Sequence, residues 1–235
     1  MPFAARTAFE RAARPAFEKS LRPAYIAVRG VVNRLLERRA GIQTEGRIST
    51  TDLEYANEEY TPYAPAGWFQ LRRVLKPGDI GHQDVFIDFG SGMGRVVYQA
   101  AAWYPFKRVI GVELTASLTE VAQRNIDRNR DRLRCRDVDL ITANALEYEI
   151  PDDVTVVYLN NPFIGDVFAS VVERLLESLE RRPRSMLVVY ANPREERVLL
   201  DAGFRCARRL RGWRPTADWS RSNAVHLYAR DSATS

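Results

Sequence analysis

Cysteine and histidine are scarce in this chain, with two of each in 235 residues. Cys135 and Cys206 lie far apart, as do His82 and His226, so no short spacing of zinc-ligand type exists. No metal is expected, and a histidine-centred triad has little to draw on. Two cysteines do not make a disulfide framework; they read as reduced thiols, which fits a cytoplasmic protein. No apolar run approaches the roughly 20 residues that span a bilayer. The N-terminus also lacks the uninterrupted apolar core of a signal peptide. Internal repeats are absent.

What is present is ordinary for a soluble globular chain: 46% hydrophobic and 28% charged residues. The length suffices for one α/β domain with an appendage. The net charge is +5, and residues 1–45 hold nine Arg/Lys against four Glu. The whole excess therefore sits in that segment. The remainder is neutral and gives no clear nucleic-acid signal.

Three segments follow. Residues 1–45 read as a basic helical extension, one helix or two, broken near Pro15 or Pro23. Tyr25, Val28, Val32, Leu35 and Leu36 recur at helical spacing. Glu10, Glu18 and Glu37 interrupt its basic face, so it is expected to lie over the core with its arginines in water, with no clear membrane signal. A homodimer through these helices stays open. Residues 46–83 read as a connecting and lid segment with a helix at 67–75. Residues 84–235 form the core.

The core begins with Val85–Phe89, an apolar strand, followed by Gly90-Ser91-Gly92-Met93-Gly94 and an apolar-periodic helix to Trp103. Strand, glycine turn and helix make a nucleotide-binding corner. Glycine admits positive φ and close backbone approach, and the helix start offers unpaired N–H groups. A dinucleotide fingerprint, G-x-G-x-x-G/A, fails here because its last position falls on Arg95. A second strand, 108–113, ends in Glu113. A carboxylate there can accept the hydrogens of both ribose hydroxyls. The alternative is a plain glycine turn with a solvated strand end.

The G-x-G-x-G spacing with Asp88 before it resembles motif I of the class I S-adenosylmethionine-dependent methyltransferases. Downstream, strands at 138–142, 154–159, 185–190, 204–210 and 224–229 alternate with helices. The helix after Glu113 is expected to start at Ser117 in a capping box with Glu120, and another at Asn192-Pro193 to end at Gly203. The expected fold is α/β: a Rossmann-like, seven-stranded, mostly parallel sheet with an antiparallel last strand, plus the N-terminal helical extension.

In such sheets ligands bind beyond the carboxyl ends of the strands. Asn144 follows the third strand, where methyltransferases often hold an acid against the adenine amino group. Asn160-Asn161-Pro162-Phe163 follows the fourth. It resembles the N-P-P-F/Y motif of nitrogen methyltransferases, except that Asn161 replaces the first proline. The G-S-G-x-G corner, the G-V-E strand end and this asparagine pair also resemble the non-SET histone-lysine methyltransferases over residues 60–165. That resemblance implies a lid at Tyr60-Thr61-Pro62-Tyr63. It also implies S-adenosylmethionine as cofactor, with S-adenosylhomocysteine as product. Cofactor contacts are then expected from Tyr60, Thr61, Asp88, Gly90, Ser91, Gly92, Gly94, Glu113, Asn144 and Asn160. Asn160 and Asn161 are the candidate catalytic pair. Tyr63, Pro162, Phe163, Trp213 and Trp219 are candidates for the substrate wall, although the tryptophans equally suit a patch packed on helices.

The reading is a methyltransferase acting on an amine nitrogen of a small molecule or protein lysine, the acceptor being unidentified. An O-methyltransferase and a non-catalytic cofactor-binding module remain the alternatives.

Overall fold

A computed structural model describes residues 22–46, 59–61, 63–210 and 224–232. Five parallel strands form the backbone of one sheet: β1 (Val85–Phe89), β2 (Arg108–Glu113), β3 (Val138–Thr142), β4 (Val154–Leu159) and β5 (Met186–Ala191). Two more complete it: β6 (Arg205–Leu210) and β7 (Val225–Arg230). The order is β3-β2-β1-β4-β5-β7-β6. Only β7 runs antiparallel to its neighbours, as expected from sequence.

Helices α1 (Arg22–Ala40), α2 (Gln70–Val74), α3 (Arg95–Trp103), α4 (Ala116–Asp127), α5 (Gly165–Arg181) and α6 (Glu196–Asp201) accompany it. Alternation along β1 divides the core. Val85, Ile87 and Phe89 pack with Val171 and Leu175 of α5, whereas Phe86 packs with Val97 and Ala101 of α3. Asp88 shares the α3 side.

Local chemistry shifts several boundaries. Pro23 does not break α1 but sits in its first turn, where its missing N–H is harmless. Thr115, not Ser117, is the N-cap of α4, and no side chain caps it, so the expected box does not form. The last short helix starts at Glu196 rather than at Pro193, because Asn192 takes φ 53° and turns the chain first. Of the expected apolar stripe of α1, Leu36 packs on the core, but most of the rest is turned outward. Asn33, Glu37 and Ala40 are buried, while Val28, Val32 and Leu35 lie exposed.

Candidate active site

Strand order reverses between β1 and β4, the point at which open α/β sheets hold their ligands. The glycine turn leaves β1 on one side of it, and Asn160–Phe163 leave β4 on the other. Gly90 and Gly92 hold φ +72° and +55°. A Cβ on Gly90 would lie 2.5 Å from Pro162 Cβ, and one on Gly92 would lie 2.2 Å from the Tyr63 ring. Both glycines are therefore fixed by close approach, one to the β4 loop and one to the segment before the domain. The Gly90 and Ser91 N–H groups both donate to the Val112 carbonyl, locking the turn to β2.

Two carboxyls line the corner. Glu113 accepts from Gly92 N–H at 2.8 Å and from Thr115 N–H at 3.0 Å, bracing the turn it faces. Burial raises its pKa, and those backbone donors pull it partly back. Asp88 is 3% exposed. Burial, then the charge of Glu113, push it well above the usual carboxylate range. Two desolvated acids around a glycine turn suit a ligand that brings hydroxyl donors and positive charge. The buried Asp88 carboxyl accepts no hydrogen bond from the described residues, so a donor from such a ligand would satisfy it.

The β4 loop is clamped. Asn161 sits at φ 51°. Its carbonyl accepts from Thr61 Oγ1 at 2.6 Å, and Thr61 N–H donates to the Pro162 carbonyl at 3.0 Å. Tyr190 Oη donates to Asn161 Oδ1 at 3.4 Å. Burial pushes that phenol up to about 12, so it stays a neutral donor. Tyr60 pairs with Phe163 in an isolated bridge, and the Glu59 carboxylate accepts from Val167 N–H at the start of α5. Residues 59–61 and 63 thus lie as a strap over the β4 loop and the glycine turn. Asn160 is partly exposed, its Nδ2 3.4 Å from the Ala64 carbonyl.

Not every expected residue points where sequence suggested. The Asn144 amide oxygen already accepts from Leu146 N–H and Tyr60 Oη, both at 3.0 Å, and holds the strap rather than standing open to an adenine. Phe163 is 2% exposed and packs on Phe168 in the core, so its ring walls no substrate. Ser91 is buried beneath the turn. Tyr63 Oη donates to the Thr44 carbonyl at 2.8 Å, which turns it toward the N-terminal segment. Pro62, Trp213 and Trp219 lie outside the described residues. The loop bearing the tryptophans leaves from Leu210 and returns at Ala224, both at the carboxyl edge of the sheet.

Sequence reasoning missed Arg95. Its side chain is 2% exposed, and its guanidinium meets Glu37 at 3.1 Å, Glu45 at 2.9 Å, Thr44 Oγ1 at 2.7 Å and the Ala66 carbonyl at 2.8 Å. It also lies 5.2 Å over the Trp68 ring. A cation in the first turn of a helix opposes the macrodipole, and that was the available signal for a buried counter-ion.

The family model described as "Histone methylation protein DOT1" matches residues 53–189. The chain is 24% identical over 174 residues to a protein-lysine N-methyltransferase of Saccharolobus islandicus, covering 72% of this chain and 93% of that protein. It is 27% identical over 126 residues to an H3 lysine-79 specific histone-lysine N-methyltransferase of Caenorhabditis elegans, covering 49% of this chain but 13% of that protein. A solved structure of a putative RNA methyltransferase from Pyrococcus horikoshii shares the fold, with TM-score 0.51 and 18% identity over 77% of this chain and 92% of that one.

Proposed function

The chain belongs to the family of the histone methylation protein DOT1, and from that premise we propose that it transfers a methyl group to an amine nitrogen, most simply that of a protein lysine. It is an S-adenosylmethionine-dependent methyltransferase. When bound, the cofactor supplies an electrophilic methyl on a positively charged sulfur. The residues present fit it: Glu113 for the ribose hydroxyls, the buried Asp88 for positive charge, and the glycine turn for close backbone approach.

The observation that carries the nitrogen reading is the β4 loop. Between strap and glycine turn it presents the Asn160 amide, whose Nδ2 donates to the Ala64 carbonyl and whose oxygen is left for an acceptor's N–H, with no carboxylate or imidazole of its own. An amine must arrive uncharged and be aimed by hydrogen-bond acceptors, whereas a hydroxyl needs a base. The clamp of Thr61 and Tyr190 on Asn161 and Pro162 fixes the loop that carries Asn160, and positioning is what methyl transfer chiefly requires. The archaeal relative's description as a protein-lysine N-methyltransferase supports a lysine acceptor.

The test is labelled methyl transfer into cell extract, followed by mass spectrometry of the modified atom. The expected product is an N-methyl group on protein. Asn160→Ala is expected to lower turnover by about 10²-fold, the scale of a misplaced reactant, with far less loss of cofactor affinity. A methyl group on oxygen or on a nucleobase would overturn the reading.

A further inference from the structure

Methyl transfer makes no use of the outward face of α1. Val28, Val31, Val32 and Leu35 are 63%, 48%, 43% and 58% exposed there. At 100° per residue they share one arc of about 100°. By the same angles Arg39 lies inside that arc, Arg38 beside it and Arg34 next. Against Arg34 and Arg38 opens a cavity of about 360 Å³ whose lining also includes Ile42 and Arg128. Glu37, the acid in that lining, has its Oε1 taken by Arg95 and by the N–H and Oγ1 of Thr44. Among the described residues, no carboxylate pairs with Arg34, Arg38 or Arg128.

Three guanidiniums with no counter-charge among the described residues, beside an exposed apolar stripe, describe a partner that is anionic and apolar at once. A nucleic acid would satisfy the arginines but leave the valines in water. A second α1 would cover the stripe but set arginine against arginine. An anionic phospholipid surface satisfies both, because phosphates accept forked hydrogen bonds and the acyl boundary takes the apolar side chains. Among the described residues no helix is long and apolar enough to cross a membrane, so α1 would lie on the surface.

We propose that α1 is a peripheral membrane-binding element, with Val28, Val31, Val32 and Leu35 laid into an anionic lipid surface and Arg34, Arg38 and Arg128 holding lipid phosphates at the cavity. The structure corrects the sequence expectation at one point. Glu37, read as interrupting the basic face, is turned inward onto Arg95, which leaves the outward charges of the helix positive.

The full chain should be sedimented with vesicles of phosphatidylcholine and of phosphatidylcholine mixed with phosphatidylglycerol. Binding is expected only to the mixed vesicles and should weaken with salt. The triple variant Arg34→Gln, Arg38→Gln, Arg128→Gln should lower partition by on the order of 100-fold, at about a tenfold step or less per basic residue. Val31→Ser with Leu35→Ser should also release the protein. Both variants should bind S-adenosylhomocysteine as the parent does, which checks that they fold. Equal binding to neutral vesicles, or undiminished binding by the arginine variant, would overturn the proposal. So would release of the vesicle-bound protein by glycerol phosphate or an RNA oligonucleotide, or a dimer in solution that the serine variant breaks.

Discussion

Removing the guanidinium of Arg95 should cost more than any single contact in the cofactor corner. Arg95→Met keeps the aliphatic length against Trp68 but leaves Glu37, whose side chain is 10% exposed, with no cation. Glu37 would retain only the N–H and Oγ1 of Thr44 as donors. Breaking a buried pair from one side costs about 3–5 kcal/mol, because the other charge stays desolvated. Glu45 adds little, since its side chain is 36% exposed and solvent screens it. For a chain of this size each kcal/mol moves the melting temperature by roughly 2–4 °C, so a fall of about 6–20 °C is expected. The double variant Arg95→Met, Glu37→Gln should recover much of it, because a neutral pair carries no orphaned charge. Calorimetric unfolding of the two single variants and the double closes the cycle. A fall under about 2 °C in Arg95→Met, or strict additivity in the double variant, would refute the buried-pair reasoning.

Glu113→Ala should weaken S-adenosylmethionine binding by about 2–4 kcal/mol in calorimetry, through lost charge-assisted bonds and through release of the Gly92 N–H; unchanged affinity would remove Glu113 from the ribose. The raised acids Asp88 and Glu113 make pH a second probe. In the free protein they hold protons that the unfolded chain has already lost, so stability should fall as pH rises from the ordinary carboxylate range through their folded pKa values. A positively charged ligand favours their ionised forms, so cofactor affinity should rise over that same span; affinity that is flat with pH would deny both acids a role. Hydrogen exchange at residues 59–61 and 63 should slow when S-adenosylhomocysteine binds, as the strap settles over the corner, and no added protection would reduce it to a linker.

Much of this arrangement was legible in the residues. The strand starts, the glycine turn, Glu113 and the asparagine pair depend on local pattern, and local pattern survives translation into structure. Val167, Val171, Leu175 and Leu179 were expected as one stripe of α5 and all four are buried. The failures on α1 and at the site, unlike the shifted helix boundaries, have a common cause in long-range contact. The sequence of α1 shows an apolar stripe, and burial of that stripe was the natural reading. The fold instead sets its polar side inward, because Glu37 answers a cation that lies 58 residues later in the chain. Asn144 looked free for an adenine until Tyr60, 84 residues earlier, took its oxygen. Phe163 looked like a pocket wall until the core beneath α5 claimed its ring. No periodicity announces such pairings.

Among the described residues β6 is one of the two edge strands of the sheet. The backbone of an edge strand is a template on which another strand could add, the route by which sheet proteins aggregate. β6 carries Arg205, Arg208 and Arg209 in six residues, and each is anchored: to Asp231 at 3.1 Å, to Asp79 and to Glu196. An incoming strand would have to displace or bury these held charges before its first backbone bond formed. The arginines of this edge therefore act as gatekeepers of solubility. Their loss would show as turbidity and slow polymer growth at high concentration, in a protein whose methyl transfer is still intact.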